Sequence, residues 1–286
     1  MGKTKIITES AADISKIDAE LYGIEVLPFS ILMPDGKEYL EQVNITYDEF
    51  YEEMAKFDVP PKTAQVNQFL YEEAIEKYKD EYDNFLIITL SAASSATHEN
   101  ALKAKRTFEG SGLNIEVIDS GTFTGAYGVI VREIAKLNFE GADFDTLIKT
   151  AKSMIENNRL YAVIDDLKYL KISGRIKPLT FTLGTILDIK PIVTIEDGLV
   201  AQKDKVRGYK KAVTKIIEKF KDITPDGAGY LVFAGCSTDN GTFGLITKNL
   251  NETFDKAEIV EGRIGATIGT HCGPGVIAVA FIKKPE

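Results

Sequence analysis

At 286 residues, with a net charge of −9, 44% hydrophobic and 27% charged, the chain is long enough for two domains and has an ordinary globular balance. The acidic sign argues against general nucleic-acid binding, and no apolar run reaches the length of a transmembrane helix, so a membrane-embedded protein is not expected. The two cysteines, Cys236 and Cys272, have no CxxC or metal-like spacing, so neither a disulfide framework nor a metal site is expected. The start, MGKTKIIT, enters a strand pattern with no signal-peptide character, and a cytoplasmic location is the expectation.

Charge is unevenly spread. Residues 1–150 hold 14 Lys and Arg against 27 Asp and Glu, a net of −13, and the remainder nets +4. Two domains fit that asymmetry, the second better suited to an anionic partner.

In chain order, Lys5–Thr8 reads as a strand and Ser10 opens an amphipathic segment to about Leu21. Ile24–Met33 reads as a second strand, ended by the turn residues Pro34-Asp35-Gly36. Thr46-Tyr47-Asp48-Glu49 has the form of a capping box for a helix carrying Phe50, Met54 and Phe57. Pro60-Pro61 stops it, and a polar loop follows, with Asn67 placed to cap a helix over Gln68–Tyr78.

Phe85–Ile88 is a buried strand that breaks into a turn of hydroxyls (Ser91, Ser94, Ser95, Thr97) before the pattern becomes helical. Such a turn presents orphan N–H groups, a positive dipole end and O–H donors, which suits a small anion. Taken alone the turn reads as a helix cap before it reads as a binding site, and the two need not compete, since Ser94 or Thr97 could cap while Ser95 points into the crevice. Ile115–Ile118 is a further strand, followed by Asp119-Ser120-Gly121 and a small-residue helix with Gly125, Ala126 and Gly128. The recurrence of strand, loop and helix to about residue 157 predicts an α/β domain with a largely parallel, Rossmann-like sheet. Ligands collect at the carboxyl ends of such strands, so Thr8–Ser10, Ser91–Thr97 and Asp119–Thr122 are expected to line one crevice.

The second half reads as an α+β domain over 158–286. Leu160–Ile164 is a strand, Asp165–Lys177 a short helix closed by Gly174, and Thr180–Leu187 an apolar run compatible with a helix. Lys190–Ile195 and Leu199–Lys203 flank Glu196-Asp197-Gly198 as a hairpin. Helices follow over Tyr209–Phe220 and Thr242–Phe254, with strands at Gly229–Gly235, Glu258–Glu261 and Val276–Lys283.

The most unusual stretch is Gly269-Thr270-His271-Cys272-Gly273-Pro274-Gly275, which sets one of two histidines beside one of two cysteines. A hydrolase or transferase using His271 with Ser95 or Cys272 as nucleophile is one reading, since a thiolate needs a base or a cationic neighbour. Adjacent residues on an extended loop point in opposite directions, however, so Cys272 reads as packing and His271 as a donor to a bound anion. Two basic clusters stand out in an acidic protein: Lys168, Lys171, Arg175 and Lys177, and then Lys203, Lys205, Arg207, Lys210 and Lys211. Each alone is an ordinary solvated face; together they favour a phosphate-bearing partner. No phosphate-cradling or dinucleotide-binding glycine motif is present, so no nucleotide cofactor is expected in this chain.

With these residues in view, the sequence resembles the DegV family of bacterial fatty-acid-binding proteins, the acyl-carrying subunits of fatty acid kinase. The matching stretches are Ile7–Asp13, Lys62–Gln65, Leu90–Ala101, Val117–Ser120, Leu167–Ile176, Ile189–Pro191 with Asp197-Gly198, and Ile268–Gly275. The resemblance implies a non-catalytic carrier with no cofactor beyond its ligand. It would bind a long-chain fatty acid such as palmitate or oleate, the tail in the first domain and the carboxylate at the domain boundary. A separate ATP-binding kinase subunit would then phosphorylate that carboxylate. It further implies that Thr63 and Ser95 bind the carboxylate, that His271 joins the same polar network, and that Arg175 lies near the head group and the kinase contact. Three motifs depart from the family pattern: Thr63-Ala64-Gln65-Val66-Asn67 for TSQPS, Ser94-Ser95-Ala96-Thr97-His98 for LSGTY, with Ala for Gly and His for Tyr, and Ser173-Gly174-Arg175-Ile176 for GGRI.

Overall fold

The structure, a computed structural model, describes residues 2–177, 188–239 and 241–285. The apolar run expected at Thr180–Leu187 lies outside the described residues. In chain order the elements are β1 (Thr4–Glu9), a single 3-10 turn (Ser10–Ala12), α1 (Lys16–Leu21), β2 (Glu25–Leu27), β3 (Ser30–Leu32), β4 (Glu38–Leu40), α2 (Tyr47–Met54), β5 (Lys62–Ala64), α3 (Gln68–Tyr78), β6 (Asn84–Thr89), α4 (Thr97–Thr107), β7 (Asn114–Asp119), α5 (Gly125–Phe139) and α6 (Phe144–Glu156). The chain continues through β8 (Asn158–Val163), α7 (Lys168–Ser173), β9 (Ile189–Glu196), β10 (Leu199–Arg207), α8 (Tyr209–Lys221), β11 (Tyr230–Cys236), α9 (Phe243–Thr253), β12 (Glu258–Arg263), α10 (Ala266–Cys272) and β13 (Ile277–Lys283).

The α/β expectation holds. A fully parallel sheet in the order β2-β1-β6-β7 occupies the first half, and a six-stranded sheet, β10-β9-β8-β13-β11-β12, the second. In the latter every pairing is antiparallel except β11 with β12. The parallel strands β1 and β6 are buried along their whole length because helices cover both faces. α5 lies between the two sheets, touching β1 on one side and β11 and β13 on the other. Its small residues have a steric reason: a side chain on Gly128 would collide with the carbonyl of Ala12. One apolar core therefore runs from Ile6, Ile88 and Ile130 through to Leu160, Val193 and Phe233. A second core lies on the other face of the large sheet, where Phe220 of α8 stacks on Phe281 at 3.8 Å between ring centroids.

Local signals placed several elements correctly. Thr46 and Glu49 form the reciprocal capping box, Asn67 accepts the Leu70 N–H at 3.1 Å, and Gly174 closes α7 at φ 69°. Asp197 and Gly198, at φ 50° and 72°, make the primed turn that a two-residue hairpin requires. Three expectations are corrected. The strand Ile24–Met33 is two strands, because the chain leaves the parallel sheet at Pro28 and β3 joins a separate antiparallel sheet, β4-β3-β5. The loop after Pro61 contains β5, stabilised by its register with β3. The glycine-rich stretch before the last strand is helical up to Cys272, as α10.

Candidate functional site

β6 delivers the chain into the hydroxyl turn. Ser91 N–H donates to Thr122 O (3.0 Å) and Ala92 N–H to Asp119 Oδ1 (3.0 Å), so the loop after β7 supports this turn from behind. Ser91 and Ser94 both donate to the carbonyl of Gly198, at 2.6 and 2.9 Å, and thereby tie the tip of the β9–β10 hairpin to the first half of the chain. Ser95 is left for another role. Its Oγ lies 2.8 Å from Thr97 Oγ1 and accepts the Thr97 N–H at 3.3 Å. Ser95, not Ser94 or Thr97, thus meets the first helical N–H of α4, whose N-cap residue is Ala96. Either hydroxyl can donate in this pair, and when Thr97 does, Ser95 keeps its own O–H for a third group.

Thr63 reaches the same place from β5. Its Oγ1 stands 2.9 Å from His271 Nε2, although 208 residues separate them in sequence. His271 Nδ1 is enclosed and has no hydrogen-bond partner among the described residues. Burial, reinforced by the Arg175 guanidinium, holds the imidazole down at about pH 4, so the ring is neutral at pH 7. A neutral ring has one donor and one acceptor. With the proton on Nε2 the ring donates to Thr63 and releases the Thr63 hydroxyl toward the cavity, whereas the enclosed Nδ1 offers the cavity nothing. Arg175 follows the left-handed Gly174, is exposed, and rests its guanidinium on the Ser173 carbonyl.

Thr63, Ser95, Arg175 and His271 all line one cavity of about 650 Å³, within the usual range for small-molecule sites. Beyond this polar end the lining is mostly apolar. One wall is the large sheet, contributing Leu160, Ala162, Val193, Ile195, Val200 and Ala278, and Phe29, Leu90, Ala93 and Phe123 of the first half face the same space. The apolar space is thus lined from both halves of the chain and not from the first alone. The expected crevice is also revised. Thr8–Ser10 sits beneath the cavity, where Glu9 accepts from Tyr71 (2.5 Å), Tyr127 (3.1 Å) and the Leu90 N–H (3.3 Å). Phe123 and Thr124, just past Asp119–Thr122, line the cavity in place of that loop.

His98, Gln65 and Glu99, which no motif marks as binding residues, also face the cavity. His98 is held by Thr89 Oγ1, 3.0 Å from Nδ1. A signal existed: the chain has two histidines, and both line this site. Cys272 is poorly placed to act as a nucleophile. It lies one residue past His271 on a helix, burial pushes its thiol up to about 12, and His271 Nε2 is engaged with Thr63. The basic clusters are partly paired, Lys177 with Asp197 at 2.7 Å and Lys203 with Glu196 at 3.3 Å. Among the described residues no group of three or more His, Cys, Asp or Glu could hold a metal ion, and no helix is long and apolar enough to cross a membrane.

An apolar cavity closed at one end by converging hydroxyls, a neutral histidine and an arginine defines a site for an amphipathic molecule with a small anionic head. The chain belongs to the DegV family: residues 3–284 match the model of that family of uncharacterised proteins. It is 34% identical over 285 residues to a DegV domain-containing protein of Caldanaerobacter subterraneus subsp. tengcongensis, covering 99% of this chain and 100% of that one. Among solved structures it is similar to DegV, a fatty-acid-binding protein from Bacillus subtilis (TM-score 0.89, 25% identity, 99% and 100% of the two chains). It is also similar to a fatty-acid-binding DegV family protein from Streptococcus agalactiae (TM-score 0.87, 27% identity, 100% of each chain).

Proposed function

We propose that this protein is a non-catalytic cytoplasmic carrier that binds one long-chain fatty acid and presents its carboxylate to a separate ATP-binding kinase subunit for phosphorylation. The observation that carries the reading is the convergence of Thr63, Ser95 and His271, from three distant segments, at the polar end of an otherwise apolar cavity. We take residues 1–157 and 158–286 as the two domains, with the head-group site between them. In this reading Ser95 and the Thr63–His271 pair donate to the carboxylate, and the acyl chain, palmitate or oleate in length, lies along the second-domain sheet. Arg175, exposed at the same end, faces the kinase subunit.

Magnitudes divide the work. Each buried methylene contributes about 0.8 kcal/mol, whereas one charge-assisted hydrogen bond nets about 1.5–3 kcal/mol. The tail dominates affinity, and the hydroxyls decide which end faces outward. Extraction of the purified chain into organic solvent, followed by mass spectrometry, tests the reading: one fatty acid per chain supports it, and a chain that neither retains nor takes up fatty acid overturns it.

A further inference from the structure

α10 belongs by sequence to the second half of the chain, yet two carboxylates of the first half hold its N-terminus. Gly265 N–H donates to Asp13 Oδ1 (2.9 Å), and Thr267 donates its N–H (2.9 Å) and its hydroxyl (2.5 Å) to Glu41. The helix brings no capping side chain of its own. The two acids therefore take its orphan N–H groups and face the positive end of its dipole. Glu41 is buried and Asp13 half-buried. Further donors meet them: Tyr47 (3.2 Å) and Thr124 on Asp13, and Ser10 (2.7 Å) on Glu41. A side chain on Gly265 would collide with both carboxylates, and one on Gly269 would collide with Tyr51, whose hydroxyl donates to Ile264 O at 2.9 Å.

Backbone strain gathers at the same place. Five non-glycine residues among those described have positive φ, and three of them, Asp13 (55°), Gln42 (63°) and Thr124 (54°), belong to this clasp or adjoin it. Gln42 follows Glu41 in the chain and donates to the Tyr47 hydroxyl at 2.6 Å. Such conformations are unfavourable for residues with a Cβ and persist where surrounding contacts over-determine them, characteristically at functional sites.

We propose that Asp13 and Glu41 are positioning residues for the head-group site: by fixing the start of α10 they set where His271, in its last turn, meets Thr63. The inference rests on the carrier reading of the cavity. α10 has seven residues, so a shift at its first turn is carried along a short rigid rod to His271. Thr124 and Thr267, which contact the two acids, are themselves part of the cavity lining. Glu41→Gln keeps the shape but replaces an accepting oxygen with an amide donor, leaving a donor of Thr267 or Ser10 unpaired.

The test is a double-mutant cycle on the delipidated full-length chain with oleate as probe. Glu41→Gln is expected to weaken oleate binding roughly tenfold, the size of one charge-assisted hydrogen bond. Added to His271→Ala it is expected to cause no further loss, because both changes remove the same contact. Losses that add in the double variant overturn the proposal. A second readout uses the ligand-free protein: Glu41→Gln shifts the ring-nitrogen NMR resonances of His271, and unchanged resonances overturn the proposal equally. Should Glu41→Gln fail to fold, Tyr47→Phe removes one donor to Asp13 and carries both readouts, with a loss of about two- to threefold. A wild-type chain that binds no oleate defeats the carrier reading, whereas the NMR readout still decides the clasp.

Discussion

One apolar wall of the cavity comes from a single sheet, whereas its polar end is assembled from four separate pieces of chain: β5, the turn before α4, the residue after Gly174, and the end of α10. A wall made of strands already buried for the sake of the core contributes affinity in proportion to area and tolerates small changes of shape. The polar end contributes little area, and its geometry depends on contacts elsewhere, such as Ser91 and Ser94 on the hairpin tip and Asp13 and Glu41 on α10. The wall should therefore control how tightly a ligand is held, and the polar end how it is oriented.

The largest expected effect breaks the wall. Ala162→Phe or Ala278→Phe fills part of the cavity and excludes about four methylenes, worth about 3 kcal/mol, so fatty-acid affinity measured by fluorescent-lipid displacement should fall roughly a hundredfold. Next comes the polar end: Ser95→Ala should weaken binding roughly tenfold, the lower end for one charge-assisted hydrogen bond. It should nevertheless severely impair acyl-phosphate formation in an assay with the kinase subunit. A wild-type phosphorylation rate in that variant would remove Ser95 from the head-group site.

Stability against pH separates the two regions in another way. Burial pushes Glu9 up to about 7 and raises Asp13 and Glu41 as well, so the folded protein binds protons that the unfolded chain has lost. For Glu9 that makes stability fall as pH rises from about 4.5 to 7. His271, held down at about 4, has the opposite sign: the unfolded chain binds the extra proton, and stability rises as pH rises from about 4 to 6.5. In chemical denaturation at a series of pH values, Glu9→Gln should reduce the falling component, leaving the share of Asp13 and Glu41, and His271→Asn should remove the rising one. The smallest effect belongs to Arg175→Ala, an exposed side chain. Fatty-acid affinity should change less than about fivefold, while coupling to the kinase subunit is lost.

Legibility followed the same division. Capping at Thr46 and Asn67, the stop at Gly174 and the turn at Asp197-Gly198 depend on neighbours within a few residues, and each was readable. Thr63, Ser95, Arg175 and His271 were readable through motif resemblance, and the structure brings all four to one cavity. What could not be read depends on distant partners. β5 exists because Ile31 pairs with Thr63 across the small sheet. α10 is helical despite its glycines because Asp13 and Glu41 cap it and Tyr51 needs the space over Gly269. The wall residues Ala162 and Ala278 look like any buried strand positions, and nothing local marks them as facing a void.

The central claim, head at the Thr63–Ser95–His271 end and tail along the second-half sheet, is tested most directly by crystallising the protein with a fatty acid brominated at its terminal carbon. The account predicts an anomalous peak against the sheet near Val193 and Ala278, with the carboxylate in hydrogen-bond contact with Ser95 and the Thr63–His271 pair. A peak within the first half of the chain, between β6 and α4, or a carboxylate pointing away from Ser95, would contradict it.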